Sequence, residues 1–278
     1  MISIILPTFN GSRYLRQSID SCLAQSCPDI ELIIVDDAST DETPGIVHSY
    51  QDRRVQYVRN EKNAGIVASL NRGFALASGD LLTWTSDDNY YEPGALAVMA
   101  SVLEGDPAID FVYSFYNMVD DTGRVIKPGR VRVPQELDED NCVGGCFLYR
   151  RRVYEALGGF SAQAFLAEDY EYWLRVRAHF RMKMIEQVLY HYRVQPGSLT
   201  SKHGEDRVQD QVAKVRRPFI PAWKHFFFLG KRHYHANRRL RSFGNVFLSL
   251  ILNPLNKSGW RILALVSLPR WIVALLRG

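Results

Sequence analysis

Over the first hundred residues, short β-branched runs alternate with amphipathic stretches. Residues 2–6 (Ile-Ser-Ile-Ile-Leu) read as a buried strand, followed by a helix over about 13–24. Residues 32–35 predict the next strand, and Asp41-Glu42-Thr43-Pro44 opens a helix with acids at its positive end. A third strand is expected at 55–59, a helix at 64–77, a fourth strand at 81–85, and a helix with Pro93 in its first turn. Strand and helix at this spacing imply right-handed crossovers and a parallel sheet covered on both faces. Such sheets bind ligands at the carboxyl ends of their strands.

Beyond residue 105 the pattern changes. Residues 111–116, 125–126 and 143–149 predict strands separated by turns such as Asp120-Asp121-Thr122-Gly123. A helix over about 167–177 follows, then two short strands at 182–185 and 188–193. This half reads as a mixed, partly antiparallel extension of the first sheet. The run Arg150-Arg151-Arg152 reads as the solvated start of a helix.

The chain has 278 residues, of which 46% are apolar and 23% charged, enough to bury a core and to exclude a disordered chain. Its four cysteines (Cys22, Cys27, Cys142 and Cys146) are too few to staple it and predict reduced thiols in the cytosol. The start, Met1-Ile-Ser-Ile-Ile-Leu-Pro7, has no basic region and reads as a strand, not a signal peptide.

The net charge of +4 hides an asymmetry: residues 1–210 hold 21 Lys and Arg against 30 acids, and residues 211–278 hold 13 against none. This break sets an expected boundary near residue 210, with a further division of the first part into 1–105 and 106–210.

Three acidic clusters fall where strands end or helices begin: Asp36-Asp37, Asp87-Asp88 and Glu168-Asp169. Carboxylates gathered at one sheet edge repel one another and call for a positive partner. A hard divalent cation carrying a nucleoside diphosphate suits them, since oxygen ligands favour Mg²⁺ or Mn²⁺. No Gly-x-Gly-x-x-Gly follows Leu6, which argues against a dehydrogenase, and Asn10-Gly11-Ser12-Arg13 is not the basic glycine-rich loop of a sugar nucleotidyltransferase. A receiver-like signalling domain would leave two of the three clusters unexplained.

The set Pro7-Thr8-Phe9-Asn10, Val35-Asp36-Asp37-Ala38-Ser39-Thr40-Asp41, Asn63-Ala64-Gly65, Asn71-x-Gly73 and Ser86-Asp87-Asp88 resembles the nucleotide-binding half of family 2 glycosyltransferases. Glu168-Asp169 and Tyr192-Arg193-x4-Ser198 extend the resemblance to about residue 200. It implies a GT-A (Rossmann-like) fold, a mixed but mainly parallel sheet flanked by helices. It also implies a nucleotide-diphosphate sugar donor, a divalent metal (Mg²⁺ or Mn²⁺) and inversion at the anomeric carbon. Pro7, Thr8, Asn10 and Asn63 are then expected on the donor side, with Asp37 accepting from the base and Asp36 steadying the loop. Asp87 is expected at the ribose or a metal-bound water, Asp88 on the metal, and Arg193 and Ser198 on the phosphates. Asp169 is the expected general base, because inversion needs one carboxylate to deprotonate the acceptor hydroxyl. Glu168 is expected to contact the acceptor, and Gly145 to let backbone approach closely at the floor of its site, unless Gly144-Gly145 is only a strained turn. Trp173 is either an apolar wall for a sugar ring or a core residue.

The chain departs from the family pattern at Thr85, where many relatives carry an acid, and at Gln195, where they often carry histidine; His191 stands close by. A catalytically weak nucleotide-sugar-binding protein, or a sugar nucleotidyltransferase despite its unsuitable first loop, is the alternative.

The basic tail carries apolar runs at 226–229, 246–252 and 260–276, the last interrupted by Arg261, Pro269 and Arg270. A central Arg costs about 2.5–3.5 kcal/mol on insertion, so helices lying in a membrane interface, with Trp260 and Trp271 at headgroup level, fit better than a crossing. Self-association is the rival reading. Nucleic-acid binding fits poorly, since phosphate backbones do not reward buried leucines. The expected setting is the cytoplasmic face of the cell membrane, acting on a saccharide or lipid-linked saccharide in cell-surface polysaccharide or glycolipid synthesis.

Overall fold

Strand and helix alternate as the apolar runs predict, and the parallel pairing follows. The structure is a computed structural model that describes residues 1–27, 29–129, 131–195 and 202–267. The chain divides into two units, Met1–Val208 and Gln209–Gly278.

The first unit runs β1 (Ile2–Thr8), α1 (Leu15–Leu23), β2 (Ile30–Asp36), α2 (Thr43–His48), β3 (Val55–Arg59), α3 (Ile66–Leu76) and β4 (Leu81–Trp84). It continues with β5 (Tyr90–Tyr91), α4 (Ala95–Gly105), β6 (Phe111–Val119), β7 (Val125–Pro128), β8 (Phe147–Arg150), α5 (Arg151–Leu157), α6 (Glu168–His179) and β9 (Met182–Arg193). All nine strands join one sheet in the order β3-β2-β1-β4-β8-β6-β9-β5, with β7 paired to β6. β1 to β4 are mutually parallel where they pair; β8 runs antiparallel to both its neighbours, and β9 returns parallel to β6.

Strands β1 and β2 bury every side chain but one, because helices cover both faces. Register then fixes the site. Thr8 pairs with Asp36, and the amides of Asp37, Asn60 and Thr85 donate to Thr8, Asp36 and Ile5 carbonyls at 2.9, 2.8 and 2.9 Å. The carboxyl ends of four parallel strands therefore finish side by side.

Several expectations change. The strand expected at 143–149 begins only at Phe147, because Gly144 takes φ 75° and turns the preceding chain. The two strands expected at 182–193 are one, β9, with irregular register opposite Ser114–Tyr116. The helix expected from Pro93 starts at Ala95, after a left-handed Gly94. The arginine run does open α5, but it is not simply solvated. Arg150 donates to Leu103 and Ile109 carbonyls, Arg151 to those of Gly79 and Ala77, and Arg152 to Pro107 O and Asp110 Oδ1. Of these acceptors, Ala77 O and Leu103 O are carbonyls orphaned at the ends of α3 and α4, and the others belong to the loops that follow.

The motif residue Asn71 also has a structural task. Its Nδ2 donates to Phe160 O at 2.9 Å and its Oδ1 accepts from Phe160 N at 2.8 Å. The side chain pairs with Phe160 as a strand would, tying α3 to the segment that leads into α6.

In the second unit, whose boundary falls within α7 (Glu205–Arg216), come α8 (Ala222–His235), α9 (Arg239–Leu252) and α10 (Lys257–Ser267). Among the described residues no helix is long and apolar enough to cross a membrane. Trp271 and the end of the third apolar run lie outside the described residues.

Candidate functional site

The strand ends open onto a cleft of about 700 Å³. Pro7, Thr8, Asn10, Asp37, Asn63, Asp87, Asp88, Glu168 and Asp169 all line it. The structure thus brings together two acidic pairs, Asp87-Asp88 and Glu168-Asp169, that lie far apart in sequence.

At the β1 and β2 ends, polar side chains are consumed in shaping loops. Asp36 is fully buried beneath the cleft, where Oδ1 accepts from Ser39 N at 2.8 Å and Oδ2 from Tyr57 OH at 2.6 Å. Asp37 accepts from Asn60 Nδ2 (2.7 Å), Ala64 N (2.8 Å) and Gly65 N (2.8 Å), which gathers the Asn63-Ala64-Gly65 loop around it. Asn10 sits at φ 53° and receives Thr40 N on its Oδ1 at 2.8 Å, and Ala38 sits at φ 65°. Such left-handed non-glycine residues hold this rim in one shape. Phe9, 48% exposed, presents its ring at the same rim.

Past β4, Asp87 Oδ2 accepts from Thr8 Oγ1 at 2.6 Å, and Asp88 Oδ2 accepts from Gln195 Nε2 at 2.5 Å. Burial, aided by the neighbouring Asp88 charge, pushes Asp87 up to about 7. Burial also raises Asp88, against the Gln195 amide and the Arg193 charge. Thr85 is not a substitute ligand: it is buried and its hydroxyl meets Tyr190 OH at 2.7 Å. Among the described residues no group of three or more His, Cys, Asp or Glu converges. Two adjacent carboxylates raised by burial still fit a Mg²⁺-type ion, which takes one or two carboxylates and completes its shell with phosphate and water.

Asp169 is the second residue of α6, and its Oδ2 accepts from Asn141 Nδ2 at 2.8 Å while Oδ1 accepts from Tyr170 N at 2.6 Å. Burial outweighs the helix N-terminus here and raises both members of the Glu168-Asp169 pair, with the Asp169 charge adding to the rise on Glu168. Glu168 Oε2 is buried without a hydrogen-bond partner. A carboxyl raised on folding destabilises the fold at pH above its raised value, and that cost shrinks as pH falls toward the ordinary carboxylate range. Glu168→Gln should therefore raise the melting temperature by about 2–4 °C near pH 8. The gain should shrink as the buffer is taken to about pH 5. Differential scanning calorimetry at both pH values checks this; an equal or opposite change would show that the pair is not strained.

Three expected site residues stand elsewhere. Trp173 is fully buried, edge-on to Phe147 at 4.6 Å and Phe111 at 4.9 Å, so it is core and forms no sugar wall. The α-carbon of Gly145 faces the Tyr190 ring, where an added β-carbon would lie 3.1 Å from Cε1, and it does not border the cleft. Arg193 is buried, with Nε on Asp88 O (3.0 Å), Nη1 on Asp120 O (2.7 Å) and Nη2 on Gln17 Oε1 (2.6 Å). Its guanidinium also lies over Tyr14 at 4.2 Å. Its donors are spent on holding the Asp88 loop, and it does not border the cleft. Ser198 lies outside the described residues. His191 stacks on Tyr90 at 4.5 Å, and its Nε2 meets Glu92 Oε1 at 2.5 Å, away from the cleft lining.

Sequence reasoning missed Asn141, which orients Asp169, because an asparagine in an acidic loop carries no local signal. It also missed Lys202 and Arg13, the cleft's lysine and arginine.

Comparison with known proteins adds to this geometry. Residues 3–158 match the model for "Glycosyl transferase family 2". Among curated relatives, an uncharacterized glycosyltransferase of Rickettsia prowazekii is 30% identical over 215 residues, covering 72% of this chain and 66% of that protein. The putative glycosyltransferase EpsH of Bacillus subtilis is 26% identical over 229 residues, 76% of this chain and 66% of that one. One from Rickettsia felis is 29% identical over 223 residues, 74% of this chain but 36% of its own length. The chain thus spans between about a third and two thirds of the curated relatives first matched. Among solved structures, S. aureus TarS 1-349 in complex with UDP-GlcNAc superposes with a TM-score of 0.65 at 17% identity, covering 90% of this chain and 80% of that one. The mannosyltransferase PcManGT of Pyrobaculum calidifontis, in complex with GDP-Man and Mn²⁺, gives 0.59 at 19%, covering 95% and 78%. At these identities the likeness is one of fold, and the fold is GT-A.

Proposed function

We propose, from the premise that the chain belongs to glycosyl transferase family 2, that it moves a sugar from a nucleotide-diphosphate donor to an acceptor hydroxyl with inversion. The acceptor is a saccharide or lipid-linked saccharide, and the work is done at the inner face of the cell membrane, in polysaccharide or glycolipid synthesis. The observation that carries the chemistry is that Asp87-Asp88 and Asp169 open onto one cleft from opposite halves of the sheet.

The nucleoside sits on the rim shaped by Asp37 and Asn10, with the Phe9 ring available to stack on the base. Pro7, Thr8 and Asn63 border the nucleoside, and Asp87 faces the ribose or a metal-bound water. Asp88, with Asp87 beside it, would hold Mg²⁺ or Mn²⁺, and when bound that ion would offset the charge gained by the departing diphosphate. Asp169 takes the acceptor proton as the acceptor oxygen bonds to the anomeric carbon and the bond to phosphate breaks, its electron pair leaving with the nucleoside diphosphate. Glu168 flanks the acceptor hydroxyl. Arg193 keeps the Asp88 backbone in place.

Titration calorimetry of UDP, dTDP and GDP, with and without Mn²⁺, tests the donor half. One of them should bind about tenfold tighter with the ion. No binding of any of the three sinks the reading. Tight binding without turnover of the matching sugar would make the chain a nucleotide-sugar binder.

A further inference from the structure

Helix α9 is built inside out for a helix that faces water. Its buried residues are Ser242, Val246, Ser249 and Leu250, so half of the inward face is hydroxyl. That face packs on α8, where Ser242 Oγ donates to Gly230 O at 2.8 Å and a β-carbon on Gly230 would collide with Val246. Close approach across small residues is how helices pack when apolar area is not what drives them together. The outward face carries Leu240, Phe243, Phe247 and Ile251 at helical spacing, exposed by 92, 43, 48 and 60%. The rings of Phe243 and Phe247 stack at 6.0 Å, and Leu255 and Trp260, after the helix, are exposed as well. A water-facing helix shows the reverse arrangement, and a patch of this kind on a protein surface marks an interaction site.

Charge identifies the partner. Residues 211–278 contain 13 Lys and Arg and no acid, and Arg238, Arg239 and Arg241 stand at the N-terminal end of the apolar face. A two-fold contact between copies through this patch would bring two basic surfaces together. Nucleic acid would reward the arginines and leave the phenylalanines in water. An anionic bilayer accepts both. We propose that the Leu240–Phe243–Phe247–Ile251 face of α9 docks the chain on an anionic lipid surface, its apolar side chains at the acyl boundary and the exposed Arg241 at lipid phosphates. This rests on the reading that the chain works at a membrane, and on none of the sugar chemistry.

Co-sedimentation of the full chain with vesicles tests it. Binding to phosphatidylglycerol-containing vesicles should exceed that to phosphatidylcholine by about tenfold and weaken as salt is raised. The double variant Phe247→Ser, Ile251→Ser should lose about tenfold or more of the binding, with nucleoside diphosphate affinity and melting temperature unchanged. Leu240→Ser, at the most exposed position, gives a milder version should the double variant fold poorly. If neither variant weakens vesicle binding, the face is not the docking surface, although the membrane reading stands. A wild-type chain that ignores anionic vesicles overturns both. A wild-type dimer that the double variant dissociates, with vesicle binding intact, makes the face an interface between copies and overturns the proposal.

Discussion

Replacing Asp169 with asparagine is expected to slow sugar transfer by about 10³-fold, with nucleoside diphosphate affinity changed by less than about twofold. The carboxylate lies in the first turn of α6 and is steadied by Asn141, whereas the rim proposed for the nucleotide is built from the ends of β1 to β4. Asparagine keeps the size of the side chain and removes its basicity. Burial raises the proton affinity of Asp169, so the ionised group is a stronger base than an exposed aspartate. The same shift gives the wild-type rate a sign in pH: activity falls as acidification protonates Asp169 and recovers as pH rises through its raised value. Initial rates with the donor that calorimetry identifies, run beside titrations of the diphosphate, separate the two effects. Transfer near the wild-type rate would remove Asp169 from its role, and loss of diphosphate binding would make it a structural residue.

Gly11→Ala is expected to weaken diphosphate binding by about 10²-fold without unfolding the protein. A β-carbon at position 11 would collide with Asp87 Oδ2 and lie 2.6 Å from Thr8 Oγ1. Those are the two atoms whose hydrogen bond fixes Asp87 at the cleft. The methyl group must therefore displace the carboxylate or the backbone after β1, and either change moves donor-binding groups. The strand ends stay fixed by their ladder bonds, so the melting temperature should move by only about 2–4 °C. Diphosphate titration and a thermal melt read the two quantities; wild-type affinity in the variant would show that the Thr8–Asp87 geometry is not part of the donor site.

The parallel half of the fold was legible because its signal is local. Continuous apolar runs end in Thr8, Asp36 and Trp84, and polar residues begin where the sheet stops. The acidic pairs could be placed at strand or helix ends for the same reason. What stayed hidden was where each polar group spends its hydrogen bonds. Arg193 has the chemistry of a phosphate ligand, yet its partners are carbonyls of Asp88 and Asp120 and the amide of Gln17, from three distant stretches. Trp173 lies one turn from Asp169 on α6, but the helix turns it into the aromatic cluster of Phe111 and Phe147. The arginine run after β8 looked like a wet helix start because nothing nearby announces the helix ends it caps. β5, two residues long and paired to β9, is too short to carry a period.

The clamp of Asn71 on Phe160 has a mechanical consequence. Together with a sheet that runs unbroken from β3 to β9, it ties α3 and the β1–β4 strands to the segment that leads into α6. If the cleft works as proposed, swinging one half of this unit against the other would have to break that pairing and bend the shared sheet, so loop movement is the easier way to exclude water. Discrimination would then fall to loops closing over a preorganised floor, with little binding energy diverted into bending the scaffold.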